Sequence, residues 1–195
     1  MDLVFATHNA SKVREVRPLL PSYIRLLTLR SLGYMDEIAE TGATLKENAL
    51  LKARYVLDRY GLPCFADDTG LLVKSLNDAP GVFSARYAGK DNNAEANMRK
   101  LLGELEGHSN REARFETVIA LVSPQDTHTF KGVVQGEITL SPTGAGGFGY
   151  DPIFRPQGET RTFAQLPLAE KNRISHRARA LQQLITFLKT RNPGA

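Results

Sequence analysis

The spacing of apolar positions changes several times along the chain, and each change marks an element. Leu3-Val4-Phe5-Ala6 is a short continuous apolar run and reads as a strand, followed by a helical run from Val13 to Leu20 that Pro21 closes. Leu45, Ala49, Ala53, Val56 and Leu57 recur at helical spacing. Thr44 and Glu47 form a capping box ahead of them, so a helix is expected to Tyr60, ended by Gly61 and Pro63. Pro63 to Ala66 reads as a buried strand that Leu71-Leu72-Val73 continues. A third helix spans Asn93 to Leu105, with Ala94, Asn97, Met98, Leu101, Leu102 and Leu105 inward and Gly107 at its close. The period then falls to two. Ala113 to Val122 and Thr127 to Leu140 are rich in β-branched and aromatic residues about a Ser123-Pro124-Gln125-Asp126 turn, which predicts a long antiparallel hairpin with bends at Gly132 and Gly136. A last helix carries Ala178, Leu181, Leu184, Ile185 and Leu188 as its stripe, with Ser175 as N-cap. The sum is an α/β protein.

At 195 residues the chain fits one domain, 1–195, with room for two lobes about one sheet. Arg191 to Ala195 reads as a flexible tail. No apolar run approaches the ~20 residues of a membrane span, and the N-terminus lacks the basic and apolar regions of a secretion signal, so a cytoplasmic protein without membrane association is expected. Cys64 is the only cysteine, which excludes an internal disulfide and a cysteine-based zinc cluster. The net charge of +4 suits an anionic ligand. Lys and Arg are interspersed with Asp and Glu, without the concentrated basic face of a stable nucleic-acid binder.

Chemistry gathers at a few places. Asp67 and Asp68 end an apolar run just before Thr69-Gly70, with side chains expected to alternate in direction, so that one could hold a metal while the other faces water. The other reading is a turn whose carboxylates cap backbone N–H groups. Thr7-His8-Asn9-Ala10-Ser11-Lys12 joins the first strand to a helix start, where free N–H groups and Lys12 suit phosphate oxygens; plain capping by Asn9 or Ser11 fits the same residues. Asn48 and Lys52 share a helix face that could line a ligand site, and Glu40 is a candidate third carboxylate; a solvated Lys52 and a Glu40 on a loop surface are the alternatives. The apolar, aromatic segment Ala79 to Tyr87 is expected to pack near the site. Four glycines between Gly144 and Gly149 let backbone approach a flat ligand, with Phe148 or Tyr150 to stack on it; a flexible hairpin tip is the alternative. His176 and Arg177 place positive charge in a first helical turn, where the dipole disfavours it, as at a site that grips an anion or keto oxygens; a basic first turn paired with Glu170 is the alternative.

In this order, Thr7 to Lys12, Glu40-Thr41-Gly42, Glu47-Asn48-Ala49 with Lys52-Ala53-Arg54, Ala66 to Leu71, Pro80-Gly81 with Ser84 to Tyr87, Gly146 to Pro152 and Ile174 to Arg177 resemble the inosine/xanthosine triphosphate pyrophosphatase family. The motifs cover almost all of residues 3 to 188. The resemblance implies a long central mixed sheet flanked by helices forming two lobes around a nucleotide cleft, usually in a homodimer. It implies hydrolysis of ITP, dITP and XTP to the monophosphate and pyrophosphate. Asp68 would be the general base, and Glu40, Asp67 and Asp68 would hold Mg²⁺, with Mn²⁺ a possible substitute. Thr7, His8, Asn9, Ala10, Ser11, Lys12, Lys52 and Thr69 would hold the phosphates, and Phe148, Gly149, Tyr150, Asp151, Lys171, His176 and Arg177 the base. His8 stands where some members have glycine, and Thr69 where many have serine. Alternatives are a Maf-like enzyme acting on modified pyrimidine triphosphates, which Ser175-His176-Arg177 disfavours, and a non-catalytic nucleotide binder, which the clustered carboxylates disfavour.

Overall fold

The computed structural model describes residues 1–89 and 92–191, so positions 192–195 of the expected tail lie outside the described residues. Seven strands are present among them: β1 (Asp2–Phe5), β2 (Arg25–Thr28), β3 (Cys64–Val73), β4 (Pro80–Gly81), β5 (Glu112–Val122), β6 (Thr127–Ile138) and β7 (Phe154–Pro156). The α-helices are α1 (Ala10–Val16), α2 (Leu45–Tyr60), α3 (Ala94–Glu104), α4 (Leu168–Ile174) and α5 (His176–Arg191). The strands form one mixed sheet in the order β2-β1-β3-β5-β6-β7, with β4 on β3. β1 runs parallel to β2 and β3, while β4 and β7 are antiparallel to their neighbours. The described chain divides into two compact units, one of residues 1–68, 117–132 and 177 onward, the other of 69–116 and 133–176; β3, β5 and β6 contribute to both.

In the first unit the strands are covered on both faces, which is why Leu3 to Ala6 is apolar throughout. Leu3, Phe5, Phe65, Ile119 and Leu121 pack on Ala180, Leu181, Leu184, Ile185 and Leu188 of α5. Val4, Ala6, Cys64, Ala66, Val118 and Ala120 pack on Ala49, Ala53 and Val56 of α2. Phe5 and Phe65, neighbours across the β1–β3 register, stack at 4.4 Å, a contact worth about 1 kcal/mol beyond burial. The expected boundaries of α2 hold: Thr44 and Glu47 make the reciprocal capping box, and Gly61 ends the helix at φ +66°.

The core of the second unit gathers Leu71, Val73, Leu101, Leu105, Phe115, Phe154 and Phe163. β6 stops at Ile138, short of Leu140, which is 82% exposed. Gly136 is needed where β7 crosses β6, since a Cβ there would stand 2.3 Å from the Arg155 carbonyl oxygen. The segment 79–87 is packed: the Ser84 hydroxyl accepts from the Leu71 N–H at 2.9 Å and donates to the Gly81 carbonyl at 2.6 Å. Asn97 donates to the Ala85 carbonyl at 2.9 Å and accepts from the Ala88 N–H at 2.6 Å. Among the described residues no helix is long and apolar enough to cross a membrane.

Candidate active site

In the first unit the ends of β1 and β3, the start of α2 and the start of α5 bring together charges far apart in sequence. Asn9 caps α1, its side-chain oxygen accepting from the Ser11 and Lys12 N–H groups at 2.9 and 3.1 Å, and the Thr7 hydroxyl accepts from the Asn9 N–H at 3.1 Å. Capping is thus realised, yet Lys12 does not extend into solvent: its Nζ donates to Asp67 Oδ1 at 2.8 Å. The other oxygen of Asp67 accepts from Arg177 Nε at 2.9 Å, and Arg177 Nη1 donates to Glu15. Burial alone would push the Asp67 carboxyl up, but Lys12, Arg177 and Lys52 outweigh it and hold Asp67 well below the usual carboxylate range. Burial pulls Lys12 below its ordinary value, opposed by Asp67.

Asp68 points to a different set. Lys52 Nζ donates to Glu40 and lies 3.7 Å from Asp68 Oδ1. Asn48 Nδ2 donates to Asp68 Oδ2 at 3.1 Å, and Asn48 Oδ1 accepts from the Gly42 N–H at 2.8 Å, tying the segment after Glu40 to the same helix. Burial raises the proton affinity of Asp68, Lys52 opposing and Glu40 adding to the rise. Lys52 itself is raised, its desolvation outweighed by Asp68, Glu40 and Asp67. The expectation that one of the two aspartates faces water is corrected, because Asp67 is 1% and Asp68 7% exposed.

Glu40 and Asp68 meet on one cation, Lys52, so two hard oxygen donors already converge where a positive charge stands, a donor set that fits Mg²⁺ or Mn²⁺. Asp67 is turned to Lys12 and Arg177 instead. Among the described residues no three His, Cys, Asp or Glu side chains are grouped to hold a metal ion. His8 Nε2 bonds the Asp36 carbonyl at 2.8 Å, and its ring stacks on Tyr34 with centroids 6.0 Å apart, so its side chain is directed to that segment.

The second unit holds the other candidates. Lys171 Nζ donates to Asp151 Oδ2 and lies 5.1 Å from the Phe148 ring centroid, and the same carboxylate oxygen accepts from the Phe148 N–H at 2.8 Å. His176 stacks on Phe115 at 4.6 Å. Phe148 and Gly149 are half-buried, as is Thr69 on β3. Tyr150 is buried and its hydroxyl donates to the Ser84 carbonyl at 2.9 Å, so of the two aromatic residues expected to stack it is the one used in the core. Two of the glycines serve packing within the chain: a Cβ on Gly144 would stand 2.6 Å from Ala164, and one on Gly147 2.0 Å from Asp151 Oδ2. Gly147→Ala, at φ +68°, is therefore expected to lower stability by about 2 kcal/mol, measured by urea unfolding; a midpoint unchanged from the parent would show that Asp151 moves aside freely.

Arg177 is buried in the first unit, where it pairs with Asp67 and Glu15. The positive charge at the start of α5 thereby finds compensation in two buried carboxylates. Ser175 ends α4, its N–H donating to the Lys171 carbonyl at 2.8 Å, where the sequence suggested only the start of the following helix. Glu15 is the buried charged residue that motif reading left out of the site, whereas the i,i+4 spacing of Asn48 to Lys52 marks Asn48, which bonds Asp68.

A model of the Ham1 family matches residues 3–187, and the chain belongs to that family. It is 51% identical over 188 residues to a dITP/XTP pyrophosphatase of Flavobacterium johnsoniae, covering 96% of this chain and 98% of that protein. It is 46% identical over 191 residues to a dITP/XTP pyrophosphatase of Bacillus licheniformis, covering 96% and 97%. A solved HAM1 protein from Coxiella burnetii superposes with a TM-score of 0.89 at 44% identity, covering 97% of this chain and 99% of that one. The resemblance read from the ordered motifs is borne out by these relatives.

Proposed function

We propose that this protein hydrolyses the non-canonical purine nucleoside triphosphates ITP, dITP and XTP to the nucleoside monophosphate and pyrophosphate, removing them from the nucleotide pool. The observation that carries this reading is the buried Asp68 between Lys52, Glu40 and Asn48, in a chain whose relatives are named dITP/XTP pyrophosphatases. Asp68 takes a proton from a water molecule, which attacks the α-phosphorus as the bond from that phosphorus to the bridging oxygen breaks and pyrophosphate leaves. Its raised proton affinity suits it to the task. Asn48 holds the far oxygen, leaving the carboxylate aimed from a fixed plane.

Lys12 and Lys52 neutralise the polyphosphate, and Thr7 to Ser11 and Thr69 shape its bed. Glu40 and Asp68 would hold Mg²⁺, or Mn²⁺ in its place, which supplies charge neutralisation on the phosphate oxygens when bound. Asp67 acts through Lys12 and Arg177. On the base side, Lys171 and His176 offer donors to a 6-keto oxygen, Phe148 offers a stacking face, and Asp151 orients Lys171. A 6-amino base would leave those donors unpaired, a discrimination of several kcal/mol. The reading includes a cytoplasmic homodimer, which sedimentation would test by mass.

The test is pyrophosphate release from ITP, XTP, ATP and GTP with and without Mg²⁺. Metal-dependent release from ITP and XTP is expected, with ATP turned over at least about 100-fold less efficiently and GTP disfavoured at purine position 2, since guanine shares the 6-keto oxygen. Equal turnover of ATP would overturn the base assignment, and no release from any of the four would overturn the function.

A further inference from the structure

We propose that Glu15 is a positioning residue for Lys12, closing a buried ring of alternating charge, Lys12–Asp67–Arg177–Glu15, that fixes where the Lys12 ammonium stands. This rests on the reading above, in which Lys12 binds the polyphosphate.

Lys12 and Glu15 are three residues apart on α1, which places both on one face of the helix. From that face the two side chains reach opposite ends of a single linkage. Lys12 Nζ donates to Asp67 Oδ1 at 2.8 Å, Asp67 Oδ2 accepts from Arg177 Nε at 2.9 Å, and Arg177 Nη1 donates to Glu15 Oε2. α1 itself joins Glu15 back to Lys12 and closes the ring. Three of the four members are almost fully enclosed, Asp67 at 1%, Arg177 at 2% and Glu15 at 4% exposure.

Burying a carboxylate is unfavourable unless it is paired and hydrogen-bonded, and an apolar side chain on α1 would serve the neighbouring core of Val16 and Phe5 without that penalty. The geometry gives the carboxylate a different task. A guanidinium is a rigid plane, so the group that holds Nη1 also sets the direction of Nε. Glu15 therefore fixes Arg177, Arg177 fixes the plane of the Asp67 carboxylate, and the remaining oxygen of Asp67 fixes Lys12. Without Glu15 the Arg177 fork loses the anchor on Nη1, Asp67 turns, and the acceptor that holds Lys12 moves.

The experiment is a double-mutant cycle of Glu15→Gln with Lys12→Met, read as kcat/KM on XTP. Gln keeps the side-chain length but replaces the charge-assisted bond that holds Arg177 with a weaker neutral one, which loosens that anchor. E15Q is expected to lower kcat/KM by about 30-fold in the parent background, mostly through KM, and by less than about 3-fold when Lys12 is already Met. A purely structural role for Glu15 would lower the melting temperature and leave the two losses equal. Equal losses in both backgrounds, or no loss in the parent background, overturn the proposal. The same cycle read as affinity for inorganic tripolyphosphate by calorimetry needs neither a base nor turnover. It therefore separates failure of the ring from failure of the proposed activity, which would show as an inactive parent. If E15Q does not fold, Glu15→Asp keeps the charge and shortens the reach, and its loss is likewise expected to vanish in the Lys12→Met background.

Discussion

Asp68→Asn is expected to lower turnover of XTP by about 1,000-fold or more while leaving the ligand-free protein at least as stable as the parent. The loss follows from the proposed role, because an amide cannot take the proton of the attacking water. The stability follows from burial. The carboxyl of Asp68 holds its proton more tightly in the folded chain than at its ordinary value of 3.8. The folded state is therefore disfavoured as the pH rises from 3.8 through the higher folded value, and at neutral pH the ionised group burdens the fold. Asn removes that burden, keeps an acceptor for Asn48 Nδ2, and leaves Lys52 paired with Glu40. The melting temperature of D68N should thus match or exceed that of the parent at pH 7, with any gain shrinking toward pH 4. Retained turnover would remove Asp68 as the base, and a large drop in melting temperature would show that its charge stabilises the fold.

Arg177→Met should be the most destabilising single substitution in the charge ring. It takes the shared cation from Asp67 and Glu15 at once, and breaking a buried pair from one side leaves uncompensated charge at about 3–5 kcal/mol. For a protein of this size that corresponds to a fall of roughly 10 °C in melting temperature. The pH dependence has a defined sign. Asp67 is held below its ordinary 3.8 by Lys12, Arg177 and Lys52 against its burial, so its stabilisation is complete above 3.8 and is lost as the pH falls toward the folded value. The variant keeps only part of it. The gap between parent and variant should be widest near pH 7 and narrow below pH 4. A gap of less than about 2 °C at pH 7 would mean that Asp67 and Glu15 are solvated well enough without Arg177.

Local signals carried the element boundaries. The Thr44 capping box, the Gly61 stop and the stripe of Leu181, Leu184, Ile185 and Leu188 each depend on residues within a few positions, and each stands where its spacing placed it. The adjacent aspartates were visible as chemistry but not as geometry, since their partners Lys12, Glu40, Lys52 and Arg177 come from distant stretches that only the fold assembles. Tyr150 and Phe148 looked equivalent because composition cannot tell which aromatic hydroxyl will find a carbonyl, here that of Ser84. The glycines near 144–149 signalled close approach correctly in kind, yet what approaches Gly144 and Gly147 is the chain itself. Glu15 gave no signal of its own: beside Arg14 it reads as one more charge on a short helix, and its meaning arises from Arg177, 162 residues away.

The most direct test of the central claim, attack of water on the α-phosphorus with pyrophosphate as leaving group, is hydrolysis of XTP in water enriched in oxygen-18, followed by phosphorus NMR of the products. The expected result is monophosphate carrying one labelled oxygen beside unlabelled pyrophosphate. Label in the pyrophosphate, or formation of diphosphate and orthophosphate, would contradict it.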